Sequence, residues 1–293
     1  MSVRALESRV SQTVTRAMDK LYPLKNAENS WDNTGSLVDS SVPDAGDAAA
    51  AAAPRISLTV DSTEAVADEA IRQRCNVIIA YHPFLFRKFN RITPADNTQH
   101  RSLVKLIRNN VSVYSPHTAV DAAVGGVNDW LADGVCAGSV ETARRVIVPD
   151  KTAVPGVGMG RIVQLDRPIP LSDAVARIKT ALHLRHVQVA ARAGVDAVSV
   201  RTIAICAGSG AGVFQNLDPA DHAAVDLFYT GELSHHELLA LSEHDKSVVL
   251  CGHCNTERPF LHTSRTRLAA ELAPVAGAHV VVSLCDASPF VTL

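Results

Sequence analysis

One pattern is written twice in this chain. Leu58–Val60, the helix-forming stretch Thr63–Arg74, Val77–Ala80 and His82 are matched by Leu227–Tyr229, Ser234–Glu243, Val248–Cys251 and His253. In both copies the histidine stands five residues after the first apolar residue of the second strand, Val77 in one and Val248 in the other. A strand, a helix and a second strand of this kind call for a sheet with helices against it. Two copies predict an α/β fold made of two related domains. Ligands in open α/β sheets collect at the carboxyl ends of strands, so the expected site is a cleft between the halves.

The rest of the chain fits this frame. Leu6, Val10, Val14, Met18 and Leu21 recur at helical spacing, and Tyr22-Pro23 ends that helix. Arg4, Arg9 and Arg16 suit a mitochondrial leader instead, against which stand Glu7 and Asp19. Asn29–Val38 is turn-rich and leads into a short strand, and Asp39–Pro54 with its alanine run reads as a surface insertion. Strands are predicted at Ile56–Val60, Val111–Tyr114, Arg144–Val148, Arg161–Leu165, Val187–Ala190 and Thr202–Cys206. Helices are predicted at Ser102–Asn109, at Asn128–Ala132 closed by Asp133-Gly134, and at Ala174–Leu182 capped from Leu171-Ser172-Asp173. The expected domains are 1–140, with the insertion at 39–54, and 141–293, with the last segment packing back on the first.

Composition narrows the function. A net charge of -2 argues against non-specific nucleic-acid binding, which needs a concentrated positive surface, and no direct nucleic-acid binding is expected. No apolar run reaches the roughly 20 residues that cross a bilayer, so no membrane contact is expected. The six cysteines are spread out, without the density of a secreted disulfide framework. The expected compartment is the cytoplasm, with mitochondrion and nucleus as alternatives. Cys251-Gly252-His253-Cys254 has no second C-x-x-C to complete a thiolate zinc site, and reads as small residues flanking a strand end.

Imidazoles and carboxylates gather at the predicted strand ends: His82, His117, Asp121, His253 and Glu257. This donor set suits a divalent transition metal, whereas a lone strand-end histidine is more often a hydrogen-bonded structural residue. His117 and Asp121 share a face if their segment is helical. His235-His236 follows a capping Ser234 and reads equally as structural or as supporting the site. Ala207-Gly208-Ser209-Gly210-Ala211-Gly212 offers either a tight turn after a strand or a phosphate cradle, although the G-x-G-x-x-G spacing fails at Val213. Arg87, Lys88 and Arg91 offer charge to an anionic substrate or form a solvated basic loop.

At this point the motifs resemble a known family. Trp31-Asp32-Asn33-Thr34-Gly35, Tyr81-His82-Pro83 with Phe86, Ser115-Pro116-His117-Thr118-Ala119-Val120-Asp121 followed by Gly126-Val127-Asn128-Asp129, and Gly252-His253 with Glu257 are similar to the Nif-three-like proteins. These are also called GTP cyclohydrolase I type 2 homologues. The resemblance implies a two-domain α/β subunit with a dinuclear metal site in the interdomain cleft, assembled as a toroidal homohexamer. It implies that His82, Asp121 and Glu257 hold one metal and that His253 shares Glu257 around the other. The metal it implies is Zn, Mn or Fe, one or two per subunit. The family's commoner motif has two adjacent histidines before the proline. Here the first is Tyr81, which leaves the second metal one ligand short, to be completed by His117 or water or left empty.

Such a site suits hydrolysis, because two metals about 3.5 to 4 Å apart acidify a bridging water and polarise a carbonyl or phosphoryl oxygen. Glu257 would bridge, and His117 or His236 would shuttle a proton. The leading expectation is a hydrolase-like protein acting on a nucleotide or another phosphorylated small molecule. The alternative is a metal-stabilised oligomeric scaffold that binds protein partners, transcription-related ones included.

Overall fold

Apolar strands alternating with capped helices build the first half of the chain around a five-stranded sheet. In a computed structural model, the structure describes residues 9–40, 53–150, 154–289 and 291. The predicted first helix before Arg9, with its leader alternative, and residues 41–52 of the insertion lie outside them. Two compact units result, one of residues up to Val120 with Leu261–Pro289, the other of Asp121–Phe260.

In the first unit α1 (Arg9–Leu21) buries Val14, Ala17 and Met18, and Pro23 cannot continue it. β1 (Gly35–Val38) is followed by β2 (Arg55–Thr59), α2 (Glu64–Arg72) and β3 (Val77–Ala80). Thr63 caps α2 by accepting from the Val66 amide. β2 and β3 pair in parallel, Ile56 opposite Val77, which is the predicted repeat unit. α3 (Thr98–Arg108) starts earlier than the predicted Ser102, because Asn97 accepts from the His100 amide at 3.0 Å and caps it there. β4 (Ser112–Ser115) extends the sheet in parallel beside β3, and β1 pairs antiparallel at its edge. Ile78, Ala80, Leu103, Leu106, Val113 and their neighbours form the core between this sheet and α2 and α3. Each fully buried aliphatic side chain there stabilises by about 1.5–3 kcal/mol.

The chain passes through α4 (Thr118–Ala122) into the second unit and α5 (Val127–Cys136). Asp133-Gly134 was expected to close this helix, yet it runs on. A Cβ at Gly134 would lie 2.7 Å from the Ala181 Cβ, so the glycine is a close-packing position against the next long helix rather than a stop signal. Sequence expectation divided the chain after residue 140; α5 packs within the second unit, and the division falls after Val120.

β5 (Glu141–Arg145) and β6 (Val148–Pro149) replace the single strand predicted at Arg144–Val148. β5 pairs with β8 (Arg161–Pro170), while β6 pairs with β7 (Gly158–Met159), so one run serves two ladders. α6 (Leu171–Leu182) starts directly after Pro170 with no side-chain cap. β9 (Gln188–Ala190), β10 (Ser199–Ser209), α7 (Ala211–Phe214), α8 (Pro219–Ala224), β11 (Leu227–Glu232), α9 (His235–Glu243) and β12 (Ser247–Leu250) follow. The six strands run β5-β8-β10-β11-β12-β9, with β10, β11 and β12 parallel. α9 opens on the capping box Ser234 and Glu237.

α10 (Phe260–Glu271) and β13 (His279–Val282) return the chain to the first unit, where β13 adds to β2 in parallel. Glu69 holds the segment beyond it, accepting from the Ser283 hydroxyl and from the amides of Leu284 at 3.1 Å and Cys285 at 3.3 Å. Burial works against its charge, but these donors keep the Glu69 carboxyl below its ordinary value.

Candidate metal centre

In the first unit His82 leaves the end of β3, its amide bonded to the Val60 carbonyl at 3.0 Å. Its Nδ1 is 2.9 Å from Asp61 Oδ1, a carboxylate just beyond β2. His117 follows β4 with a φ of +31°, and its Nδ1 is 2.7 Å from Asp32 Oδ1. Asp32 also accepts from the Thr118 hydroxyl at 2.5 Å and the Thr118 amide at 3.3 Å. Burial alone would raise its carboxyl, but the hydrogen bond and charge of His117, with Thr118 and Asn33, hold it below the usual value. The His82 and His117 rings meet edge to face with centroids 5.5 Å apart. Tyr81 is buried and packs on both rings, so the residue in place of a second histidine is a wall of this corner.

The second unit builds a counterpart. Gly252, at φ +86°, turns the chain out of β12 into a single 3-10 turn, His253–Thr256. His253 Nδ1 is 2.9 Å from Glu232 Oε1 at the end of β11, and its Nε2 is 3.3 Å from Glu257 Oε1. Glu257 is 3% exposed and Asp121 is 9% exposed. His253 and Glu257 thus form a His/Glu group of metal-ligating type. The buried Cys206 thiol is pushed up by burial first and then by the charges of Asp121 and Glu257.

The glycine loop belongs to this group. Gly208 has φ +62°, and a Cβ on it would stand 2.8 Å from Glu257 Oε1 and 3.0 Å from His253 Nε2. Its amide donates to Thr256 Oγ1 at 2.8 Å, so that group is committed to the turn carrying His253. The loop is a tight turn whose missing side chain makes room for the Glu257 and His253 side chains. In the neighbouring C-x-x-C both cysteines are buried, and burial pushes the Cys251 thiol up to about 12, far from a ready thiolate.

The two histidines share more than their place after a strand. Asp61 precedes His82 by 21 residues and Glu232 precedes His253 by 21, each reaching Nδ1 at 2.9 Å. A carboxylate on Nδ1 fixes the ring and its tautomer, and makes Nε2 the atom to offer a metal. The donor chemistry of imidazole Nε2 and buried carboxylate therefore fits a divalent ion, and Gly208 supplies the room. Asp61 and Glu232 were not singled out from sequence, and Asp32 and Gly208 entered only as members of longer motifs, without these roles. For the first two the signal was present: an acidic residue at the end of the strand preceding each histidine-bearing one. His117 precedes α4 and Asp121 lies within it. His235 and His236 are exposed at the start of α9, their rings 5.4 Å apart.

Comparison with known proteins agrees with the motifs. The family profile of Duf34/NIF3 (NGG1p interacting factor 3) matches residues 10–289. NGG1-interacting factor 3 of Saccharomyces cerevisiae is 43% identical over 290 residues, covering 98% of this chain and 98% of that protein. The NIF3 homolog of Schizosaccharomyces pombe is 41% identical over 292 residues, covering 98% and 99%. The crystal structure of Staphylococcus aureus hypothetical protein SA1388 superposes with a TM-score of 0.79 at 22% identity, over 97% of this chain and 99% of that one, which establishes the shared mixed α/β fold. The resemblance read from the motifs is borne out: this chain belongs to the Duf34/NIF3 family.

Proposed function

We propose that the chain is a metal-dependent, hydrolase-like protein acting on a nucleotide or another phosphorylated small molecule. His82, His253 and Glu257 are the proposed ligands of one divalent ion, Zn, Mn or Fe, with Asp121 as the fourth and a second ion sharing Glu257. The observation that carries this reading is the matched pair of carboxylate-anchored histidines, Asp61 with His82 and Glu232 with His253. Purely structural histidines have no need of the same orienting group in two copies of one unit.

When bound, the ion supplies electrophilic polarisation and a nucleophile at neutral pH. The chain's own residues then have distinct tasks. Asp61 and Glu232 hold the two rings in position. Asp32 fixes Nδ1 of His117, so its Nε2 is the atom that moves a proton to or from substrate. Tyr81, buried against His82 and His117, keeps water from the back of the rings. The toroidal homohexamer implied by the motifs is part of this proposal.

A second reading, a metal-stabilised scaffold that binds protein partners, draws on the printed name of the yeast relative, an interacting factor. Metal analysis and anomalous scattering on protein purified without chelators, followed by a nucleotide and phosphoester screen with defined Zn, Mn or Fe loading, tests the first. Metal bound through His82, His253 and Glu257 together with turnover supports it. No turnover by the metallated protein, with partner binding kept in a His82→Ala, Glu257→Ala variant, favours the scaffold.

A further inference from the structure

Trp31, Asp32 and Asn33 are consecutive, and each holds a different part of one corner of the first unit. The Trp31 ring makes T-shaped contacts with His117 and Phe86, with centroids 6.0 and 6.4 Å away and interplanar angles of 81° and 68°. Asp32 grips His117, and Asn33 Nδ2 donates to the carbonyl of Leu85, the residue before Phe86. The two aromatic side chains are therefore built in place, yet Trp31 is 56% exposed and Phe86 51%. More than half of the Trp31 surface thus stays in solvent despite both contacts. Fixed aromatic surface left in water is a mark of binding rather than of folding.

Beyond Phe86 the loop reads Arg87-Lys88-Phe89-Asn90-Arg91. Arg87, Lys88 and Arg91 are exposed, and among the described residues none of them forms an ion pair. Aromatic faces beside unpaired cations complement a ligand that is flat at one end and anionic at the other. The ring row continues inward: Phe86 to Trp31 at 6.4 Å, Trp31 to His117 at 6.0 Å, His117 to His82 at 5.5 Å. A ligand seated on Trp31 thus lies beside the strand-end histidines.

We propose that Trp31 and Phe86 form a stacking wall for the planar heteroaromatic ring of a nucleotide, whose phosphate is met by the cations of the 87–91 loop. The proposal rests on the reading of the chain as acting on a phosphorylated small molecule, and adds the ring that such a molecule carries. Base stacking on aromatic side chains tolerates base identity, because every base has a π-face. An anionic membrane surface is the other occupant that a loop of mixed aromatic and basic residues attracts. The row of rings leading to His82 favours the nucleotide.

The test uses the full chain carrying Trp130→Phe, which leaves Trp31 as the single indole, since the sequence has two tryptophans. Guanosine monophosphate is expected to quench its emission, and ribose 5-phosphate to bind about tenfold more weakly. In the parent chain, calorimetry is expected to show Trp31→Ala weakening guanosine monophosphate binding about tenfold, with Trp31→Tyr retaining most of the affinity. Arg87→Ala with Lys88→Ala is expected to weaken both ligands and flatten the salt dependence. Equal affinity for the two ligands, or unchanged affinity in Trp31→Ala, overturns the stacking wall. Binding of phosphatidylserine vesicles that Trp31→Ala abolishes, with no response to guanosine monophosphate, overturns it in favour of a membrane. Nucleotide binding that persists in His82→Ala, with no turnover by any metallated form, supports the wall while removing the hydrolytic reading.

Discussion

Asp32 Oδ1 lies 2.7 Å from His117 Nδ1, and the Asp32 side chain is 1% exposed. A buried carboxylate is tolerated only with strong donors, and this one has the imidazole plus the Thr118 hydroxyl and amide. Trp31-Asp32-Asn33-Thr34-Gly35 is thus an orienting motif for a histidine 85 residues away.

Asp32→Asn preserves shape but removes the charge. Hydrogen bonds to charged groups are worth about 1.5–3 kcal/mol, so the variant is expected to lose about 2 kcal/mol in urea unfolding at pH 7. Nitrogen chemical shifts of the His117 ring are expected to show that Nδ1 no longer keeps its proton. An unchanged ring spectrum in a folded variant would mean that Asp32 does not set the tautomer.

Asp61→Asn and Glu232→Gln test the matched anchors. Loss of an orienting partner costs about 10–100-fold in metal affinity, so each variant is expected to weaken binding by that order in competition with a chelating dye, with its fold intact by circular dichroism. Metal affinity equal to the parent in both would separate the histidine pair from metal binding altogether.

Much of this arrangement was legible in the sequence, and the reason is periodicity. Strand, helix and strand were readable in both copies because buried parallel strands are nearly continuous apolar runs, as in Val77–Ala80 and Ser247–Leu250. Asp133-Gly134 misled because glycine reports a need for space as readily as a need for a turn, and Ala181 lies far away in sequence. Asp61 and Glu232 were missed for a related reason. A single acidic residue at a strand end looks like any solvated carboxylate until the parallel pairing of β2 with β3, and of β11 with β12, brings it beside the histidine of the next strand.

Gly208→Ala separates the two readings of the glycine loop. The added methyl meets Glu257 Oε1 and His253 Nε2 at 2.8 and 3.0 Å, closer than van der Waals contact, and the backbone at φ +62° resists a side chain. The expected outcome is a drop of tenfold or more in metal affinity, on the order of that seen when a supporting group is lost. Gly212→Ala, which meets nothing within 4 Å, serves as the control. Were the loop a phosphate cradle instead, Gly208→Ala would weaken phosphate-ligand binding and leave metal affinity alone.

Arg161 and Asp129 make the strongest stability prediction. Arg161 is 2% exposed and pairs through two nitrogens with Asp129, at 2.7 and 2.9 Å. Its remaining donors reach the carbonyls of Gly158 and Gly160 at 2.8 Å and Ala123 at 3.1 Å. Breaking such a pair leaves an uncompensated buried charge, at a cost of about 3–5 kcal/mol. Asp129→Asn is therefore expected to destabilise the second unit by that amount at pH 7, read from urea unfolding. Burial opposes the Asp129 charge, but Arg161 outweighs it and holds the carboxyl below its ordinary value of 3.8. A depressed carboxylate contributes stability that is complete above its unfolded value and fades as pH falls through the folded one. The gap between parent and Asp129→Asn is thus expected to stay constant from pH 7 to about 5 and to close only in stronger acid. A gap that narrows between pH 7 and 6 would point to a histidine as the group that titrates.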